Sequence, residues 1–294
     1  MPKTDIESSE QSPVACSEEW VQLEGRRVRF WRAGSGPALV LVHGLLGYSF
    51  SWRHVIRPLA LNWEVFAPDM PGSGFSECDS KIDCRLSSAA NRLLKFLDAA
   101  GISTCDLVGS SYGGATALML AASHPLRVRR LVLVSPANPW SKYGRKRMAL
   151  LRNAAVASVF PRLARKMRPL HDYFLRRLYG EPRLITAEAY RGYSDPLSRG
   201  GRFEHAVGIV GSWNADMQEL GAAIPNASNI PTLLMWGSRD RAVDPISANA
   251  LKNNFRTCRL EVIEGAGHLP YEECPKEFNR ILTKFLKTPV PLGK

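Results

Sequence analysis

One serine, one histidine and one aspartate in this chain have the neighbours needed for nucleophilic chemistry. Gly109-Ser110-Ser111-Tyr112-Gly113 fits G-x-S-x-G, a pattern that lifts a serine onto a sharp strand-to-helix turn. Only Ser111 has glycine at both minus two and plus two, since Ser110 would have Val108 and Tyr112 there. A serine hydroxyl is a weak nucleophile and needs a base, itself held by a third group. Among six histidines, His268 stands out in Gly265-Ala266-Gly267-His268-Leu269-Pro270, a flexible loop just past an apolar run. His124 precedes a proline, and His54, His171 and His205 fall in helical patterns. His43 ends an apolar run beside Gly44, a place suited to holding a loop or walling a pocket. In the chain order nucleophile, acid, base, the acid is Asp240 of Trp236-Gly237-Ser238-Arg239-Asp240. Asp244 competes, but preceding Pro245 it reads as a helix N-cap. The chemistry is acyl transfer, which also needs N–H donors for the developing oxyanion. The Tyr112 amide is one, and the Leu45 amide of His43-Gly44-Leu45-Leu46-Gly47 is the other expected donor.

Such residues need rigid elements beneath them. Residues 38–42, ALVLV, form a continuous apolar run that suits a strand buried on both faces. Further strands are expected at 64–67, 106–108, 130–134, 232–236 and 259–263. Helices are expected between them at 51–60, 86–100, 113–123, 246–255 and 275–286. Over 86–100 the apolar residues Leu86, Ala89, Leu93, Leu97 and Ala100 share one face, and Gly101 is a stop. Strands alternating with helices imply an α/β fold with a mostly parallel sheet wrapped on both faces. From 138 to 229 no strand-like run occurs, only Arg-rich helical segments broken by Pro161, Pro169, Pro182 and Pro196. This span reads as a helical cap inserted into a core formed by 20–137 and 230–294.

Hydrophobic residues at 45% and charged residues at 22% are ordinary for a globular protein. No run approaches the length of a membrane-spanning helix. Residues 1–19 are polar and acidic, without the basic-then-apolar pattern of an export signal, and read as a disordered leader. With that pattern missing, the six cysteines read as free thiols of a cytoplasmic protein. They show no metal-ligand spacing, so neither a metal nor another cofactor is expected. The net charge is +12, and the stretch from Trp140 to Leu220 holds 15 Lys and Arg against 7 Asp and Glu. Arg145-Lys146-Arg147, residues 162–168 and Arg176-Arg177, interleaved with apolar residues, could lie on anionic lipid or receive an acyl carrier. No motif points to nucleic acid.

Five segments together resemble the α/β-hydrolase superfamily over roughly residues 23–286. They are LVHGLLG at 41–47, DMPGSGFS at 69–76, GSSYGG at 109–114, WGSRDRAVD at 236–244 and GAGHLPYEECP at 265–275. The resemblance implies the Ser111, Asp240, His268 triad, the Leu45 and Tyr112 oxyanion pair, and a structural turn shaped by Asp69 and Gly72. The capped architecture is similar to the branch holding carboxylesterases, carbon–carbon bond hydrolases, epoxide hydrolases and haloalkane dehalogenases. The last two place aspartate at the nucleophile, where this chain has Ser111. Carbon–carbon hydrolases often carry Gly-Pro-Gly in the oxyanion loop, where this chain has Gly-Leu-Leu-Gly. Some relatives hold the acid after the 130–134 strand, but here Ser135-Pro136-Ala137-Asn138 has no carboxylate.

The leading expectation is a serine hydrolase that cleaves a small-molecule carboxylic ester or acyl substrate through an acyl-enzyme. Alternatives are a carbon–carbon bond hydrolase acting on a vinylogous ketone and a non-catalytic receptor on the same scaffold. His43, Leu46 and Trp213 are candidates for the substrate pocket. Trp140, Tyr143, Phe160, Phe174 and Met217 either line it too or fill the cap's own core.

Overall fold

Apolar strands without alternation can hide their side chains only between two layers, and that is where this chain puts them. The computed structural model describes residues 14–142 and 151–289. Its strands are β1 (Cys16–Leu23), β2 (Arg26–Ala33), β3 (Ala38–Val42), β4 (Glu64–Pro68), β5 (Cys105–Ser110), β6 (Val128–Val134), β7 (Thr232–Gly237) and β8 (Cys258–Ile263). They form one sheet in the order β1-β2-β4-β3-β5-β6-β7-β8. Pairs β1–β2 and β2–β4 are antiparallel, and all others are parallel. The helices are α1 (Arg53–Leu59), α2 (Leu86–Ala99), α3 (Tyr112–Ser123), α4 (Ala154–Ala164), α5 (Arg168–Leu178), α6 (Ala187–Leu197), α7 (Arg202–Ala223), α8 (Ser247–Lys252), α9 (Pro270–Glu273) and α10 (Pro275–Leu286). None is long and apolar enough to cross a membrane.

Successive strand residues serve opposite layers. Val40, Val42, Leu107, Leu131, Leu133 and Leu234 pack with α2 and α3. Their neighbours Leu39, Leu41, Val108, Val132, Val134 and Leu233 pack with α1 and α10. Full burial of each such side chain contributes about 1.5–3 kcal/mol relative to exposure. Cys105 is a small buried member of the first layer.

Two differences from the expected organisation have physical causes. The sheet begins with a hairpin that falls partly within the expected leader: Cys16 pairs with Ala33, and Glu19 with Phe30. Its two-residue turn, Glu24-Gly25, has both φ values positive, at 52° and 77°, which matches the twist of a tight hairpin. Charges on CSEEWVQL and RRVRFWRA mask the strand pattern, and such charges protect an edge strand from unwanted pairing. Residues 1–13 of the leader lie outside the described residues. The expected cap span also divides. Helices α4 to α6 and the start of α7 stand over the cavity, whereas Ile209, Met217, Leu220 and Ile224 join the buried layer of α2 and α3.

Candidate active site

Helix α3 begins immediately after β5, and Ser111 between them has φ 55° and ψ −120°. That strained backbone is held by three hydrogen bonds: the Ser111 amide donates to Val134 O at 2.9 Å, and Ser111 O accepts from Ala115 at 3.1 Å and Ala137 at 2.9 Å. The flanking glycines are required by close approach. A Cβ on Gly109 would overlap the Gly113 carbonyl, and one on Gly113 would overlap the His43 and Val42 carbonyls. The second contact seats the serine turn against the loop after β3.

That loop is tied down by His43. Its Nδ1–H donates to Gly44 O at 2.8 Å, while Nε2 accepts the Met70 amide at 3.0 Å. The carbonyl can only accept and the amide can only donate, so the neutral Nδ1–H tautomer is dictated. Burial lowers the His43 pKa, consistent with that form. His43 does not line the cavity, which corrects its assignment as a pocket residue: both ring nitrogens are engaged in backbone bonds beneath the loop. The chain continues through Leu45 and Leu46, the latter at φ 61°, and closes with Gly47 N–H on Gly44 O at 3.0 Å. Among the described residues, neither the Leu45 nor the Tyr112 amide has an acceptor. Leu45 lines the same cavity as Ser111, and Tyr112 follows Ser111 in the chain.

His268 and Asp240 come from the loops after β8 and β7. His268 Nδ1 is 2.8 Å from Asp240 Oδ2, and both side chains are buried. The other oxygen, Oδ1, accepts the Ala242 amide at 2.7 Å and the Val243 amide at 3.0 Å. Asp244 instead accepts the Ile246 amide at 3.0 Å in the turn ahead of α8, whose N-cap position is Ile246, so it steadies the turn without capping the helix. The carboxylate of Asp240 therefore orients the imidazole through Nδ1. Ser111 and His268 line the same cavity.

Sequence reasoning missed Glu273. Its Oε1 accepts the Gly267 amide at 2.7 Å, and its Oε2 accepts those of Gly180 at 2.8 Å and Glu181 at 3.1 Å. One carboxylate thus joins the histidine loop to the end of the α5 segment, reinforced by His268 N–H on Leu178 O at 2.7 Å. Burial raises the Glu273 pKa even against those amide bonds. The paired carboxylates of Tyr271-Glu272-Glu273, directly after His268, were the available signal. The neighbouring Glu272 holds Arg53 through two bonds at 2.6 and 2.7 Å and accepts the Tyr193 hydroxyl at 2.6 Å. Together with Tyr48 Oη–H on Gly192 O at 2.8 Å, this docks α6 on the core. The segment 48–53 therefore positions the cap.

The cavity is about 1050 Å³, at the upper end of ligand sites. Leu46, Trp213, Phe160 and Phe174 are among the residues that line it. Met217 is packed in the core beneath, and Trp140 lies against that same layer. Tyr143 lies outside the described residues. Lys142, Arg177 and Arg241 also line the cavity, and no Asp or Glu does so among the described residues. Arg177 donates to the Arg241 carbonyl at 3.3 Å, which keeps two of these cations together.

The remaining helical histidine, His205, seals the cap against the 69–76 loop. Its ring covers Gly72, and Nδ1 is 3.4 Å from Cys84 Sγ. Burial, then the nearby Arg92 and Arg202, lower its pKa to about 4. An unfolded histidine titrates near 6.5, so the unfolded chain binds the extra proton between those values. The stability His205 contributes is complete above pH 6.5 and is lost as pH falls toward 4, at up to about 1.4 kcal/mol per pH unit. Thermal melts over this range should show a shallower acid-side decline for His205→Gln than for the parent. Parallel declines would mean the imidazole is not held neutral by the fold.

A family model described as alpha/beta hydrolase fold matches residues 37–275, and the chain belongs to that family. It is 28% identical over 280 residues to an uncharacterized protein of Mycobacterium tuberculosis, covering 92% of this chain and 81% of that one. A monoacylglycerol lipase of Xenopus laevis is 24% identical over 265 residues, covering 87% and 77%. Among solved structures, the 2-hydroxy-6-oxo-6-phenylhexa-2,4-dienoate hydrolase of a Rhodococcus species superposes with a TM-score of 0.79 at 22% identity, covering 94% and 100%.

Proposed function

We propose that this hydrolase cleaves carboxylic esters through an acyl-enzyme on Ser111. His268 Nε2 takes the hydroxyl proton as Oγ attacks the carbonyl carbon, and the tetrahedral oxyanion rests on the Leu45 and Tyr112 amides. The proton then passes to the leaving alcohol, and water repeats the sequence to release the acid. No cofactor takes part in these steps. The observation that carries this reading is the buried 2.8 Å His268–Asp240 pair facing the same cavity as the strained Ser111. A receptor that had abandoned chemistry would have no need to keep it.

A fluorophosphonate probe tests the reading directly, because Ser111 Oγ would displace fluoride and retain the phosphonyl group. Peptide mapping should place the adduct on Ser111, with hydrolysis of p-nitrophenyl esters lost in proportion. An adduct elsewhere, or none, would overturn the assignment.

The cations Lys142, Arg177 and Arg241 favour a second reading, carbon–carbon bond cleavage in a vinylogous ketone bearing a carboxylate. The Rhodococcus relative acts on such a dienoate. Turnover of a ring-fission dienoate in preference to simple esters would select it.

A further inference from the structure

Helix α4 and the turn leading into α5 expose an apolar stripe among unpaired cations. Val159 and Leu163 are 51% and 56% exposed and, four residues apart, lie along one side of α4, and Met167, 47% exposed, follows in the turn. The side that faces the cavity and the core is also apolar. Phe160 lines the cavity and meets Phe203 edge-on at 6.2 Å, and Ala164 is buried. A helix apolar on two faces needs cover on both, and the core supplies only one. Arg162, Lys166 and Arg168 are exposed and Arg165 is half-buried. Among the described residues none of the four has a carboxylate in ion-pair range, whereas Arg176 on α5 pairs with Asp172 at 2.7 Å. The cause is compositional: from Leu107 to His171 the chain contains no Asp or Glu.

We infer that this face docks on the surface of an anionic lipid bilayer. Val159, Leu163 and Met167 enter the boundary between headgroups and acyl chains, and the surrounding cations meet lipid phosphates. A bilayer supplies both requirements of the patch, negative charge and an adjoining apolar layer for three large side chains. An acidic carrier protein answers the charge but not the stripe. The inner side of the same helix walls the cavity, so docking brings the cavity wall to the membrane. The inference stands independently of the ester reading.

Co-sedimentation of the full chain with vesicles tests it, comparing phosphatidylcholine alone with phosphatidylcholine containing about one-third phosphatidylglycerol. The protein should partition onto the mixed vesicles, and added salt should weaken that binding. Leu163→Asp should reduce it at least about tenfold, and each of Arg162→Ala and Lys166→Ala about fivefold. Leu126→Asp is the control, because Leu126 is 90% exposed beside Arg127, which is paired with Asp98; its binding should not change. Melting temperatures should stay within about 2 °C of the parent. Should Leu163→Asp melt lower, Val159→Asp provides the same reading. Failure of the parent to bind mixed vesicles, or unchanged binding by the Asp variants, would overturn the inference. So would capture of an acidic acyl carrier protein without vesicle binding.

Discussion

Ser111→Ala is expected to lower kcat on a p-nitrophenyl ester about a million-fold, to near background, as when the nucleophile of a comparable triad is removed. The fold should not notice. Among the described residues Ser111 Oγ makes no hydrogen bond, so deleting it leaves no buried partner unsatisfied. The strained φ of 55° is set by backbone bonds that alanine retains, so the melting temperature should hold. Binding and the oxyanion amides would still be intact, and any residual rate above the uncatalysed reaction reports on them. Ser110→Ala separates the adjacent serines. Ser110 is fully buried with its Oγ 3.3 Å from the Tyr271 hydroxyl, and its loss should leave kcat within about tenfold. Full activity in Ser111→Ala with loss in Ser110→Ala would reverse the assignment.

The parts of this site that could be read from sequence are those where local geometry forces a residue type. Gly109 and Gly113 are glycine because a Cβ at either would overlap backbone, and that constraint is written in the spacing around Ser111. The runs buried on two faces were equally plain, because ALVLV is too short for a helix and is bounded by Gly36-Pro37 and Gly44. What escaped reading depended on distant partners. The hairpin of β1 and β2 looked like charged leader because its outer side chains face water, while its pairing is settled by β4. For His43 the neighbours left loop-holding and pocket-walling both open, and Met70, 27 positions away, decides for the first. Glu273 binds three amides from two segments separated by about 90 residues, and the paired carboxylates at 272 and 273 mark the position without naming those partners. The C-terminal part of α7 carried the same strand-free helical signal as the cap, and only the packing of Met217 and Leu220 on α3 assigned it to the core.

Asp240→Asn should cost about four orders of magnitude in kcat, the fall seen when the equivalent carboxylate of a serine protease is made an amide. The structure gives the reason. Asp240 Oδ1 accepts two backbone amides, from Ala242 and Val243, and Oδ2 faces His268 Nδ1. An asparagine has one acceptor and one donor to place. Turning its NH2 toward Ala242 and Val243 would set donor against donor and orphan two buried amides, at about 1–3 kcal/mol each. Its oxygen must therefore stay there, and its NH2 faces His268. The ring then accepts at Nδ1 and carries its proton on Nε2, where it can only donate toward Ser111. The residue is isosteric and both amides stay satisfied, so stability should fall by less than about 1 kcal/mol while the nucleophile loses its base. Proton NMR gives a readout that a structural defect would not mimic: the low-field Nδ1–H resonance of a carboxylate-bound imidazole should vanish from an otherwise native spectrum. Asp244→Asn, which can keep an oxygen toward the Ile246 amide, should retain both resonance and activity. If instead Asp240→Asn works within tenfold of the parent and Asp244→Asn does not, the acid belongs four residues further along.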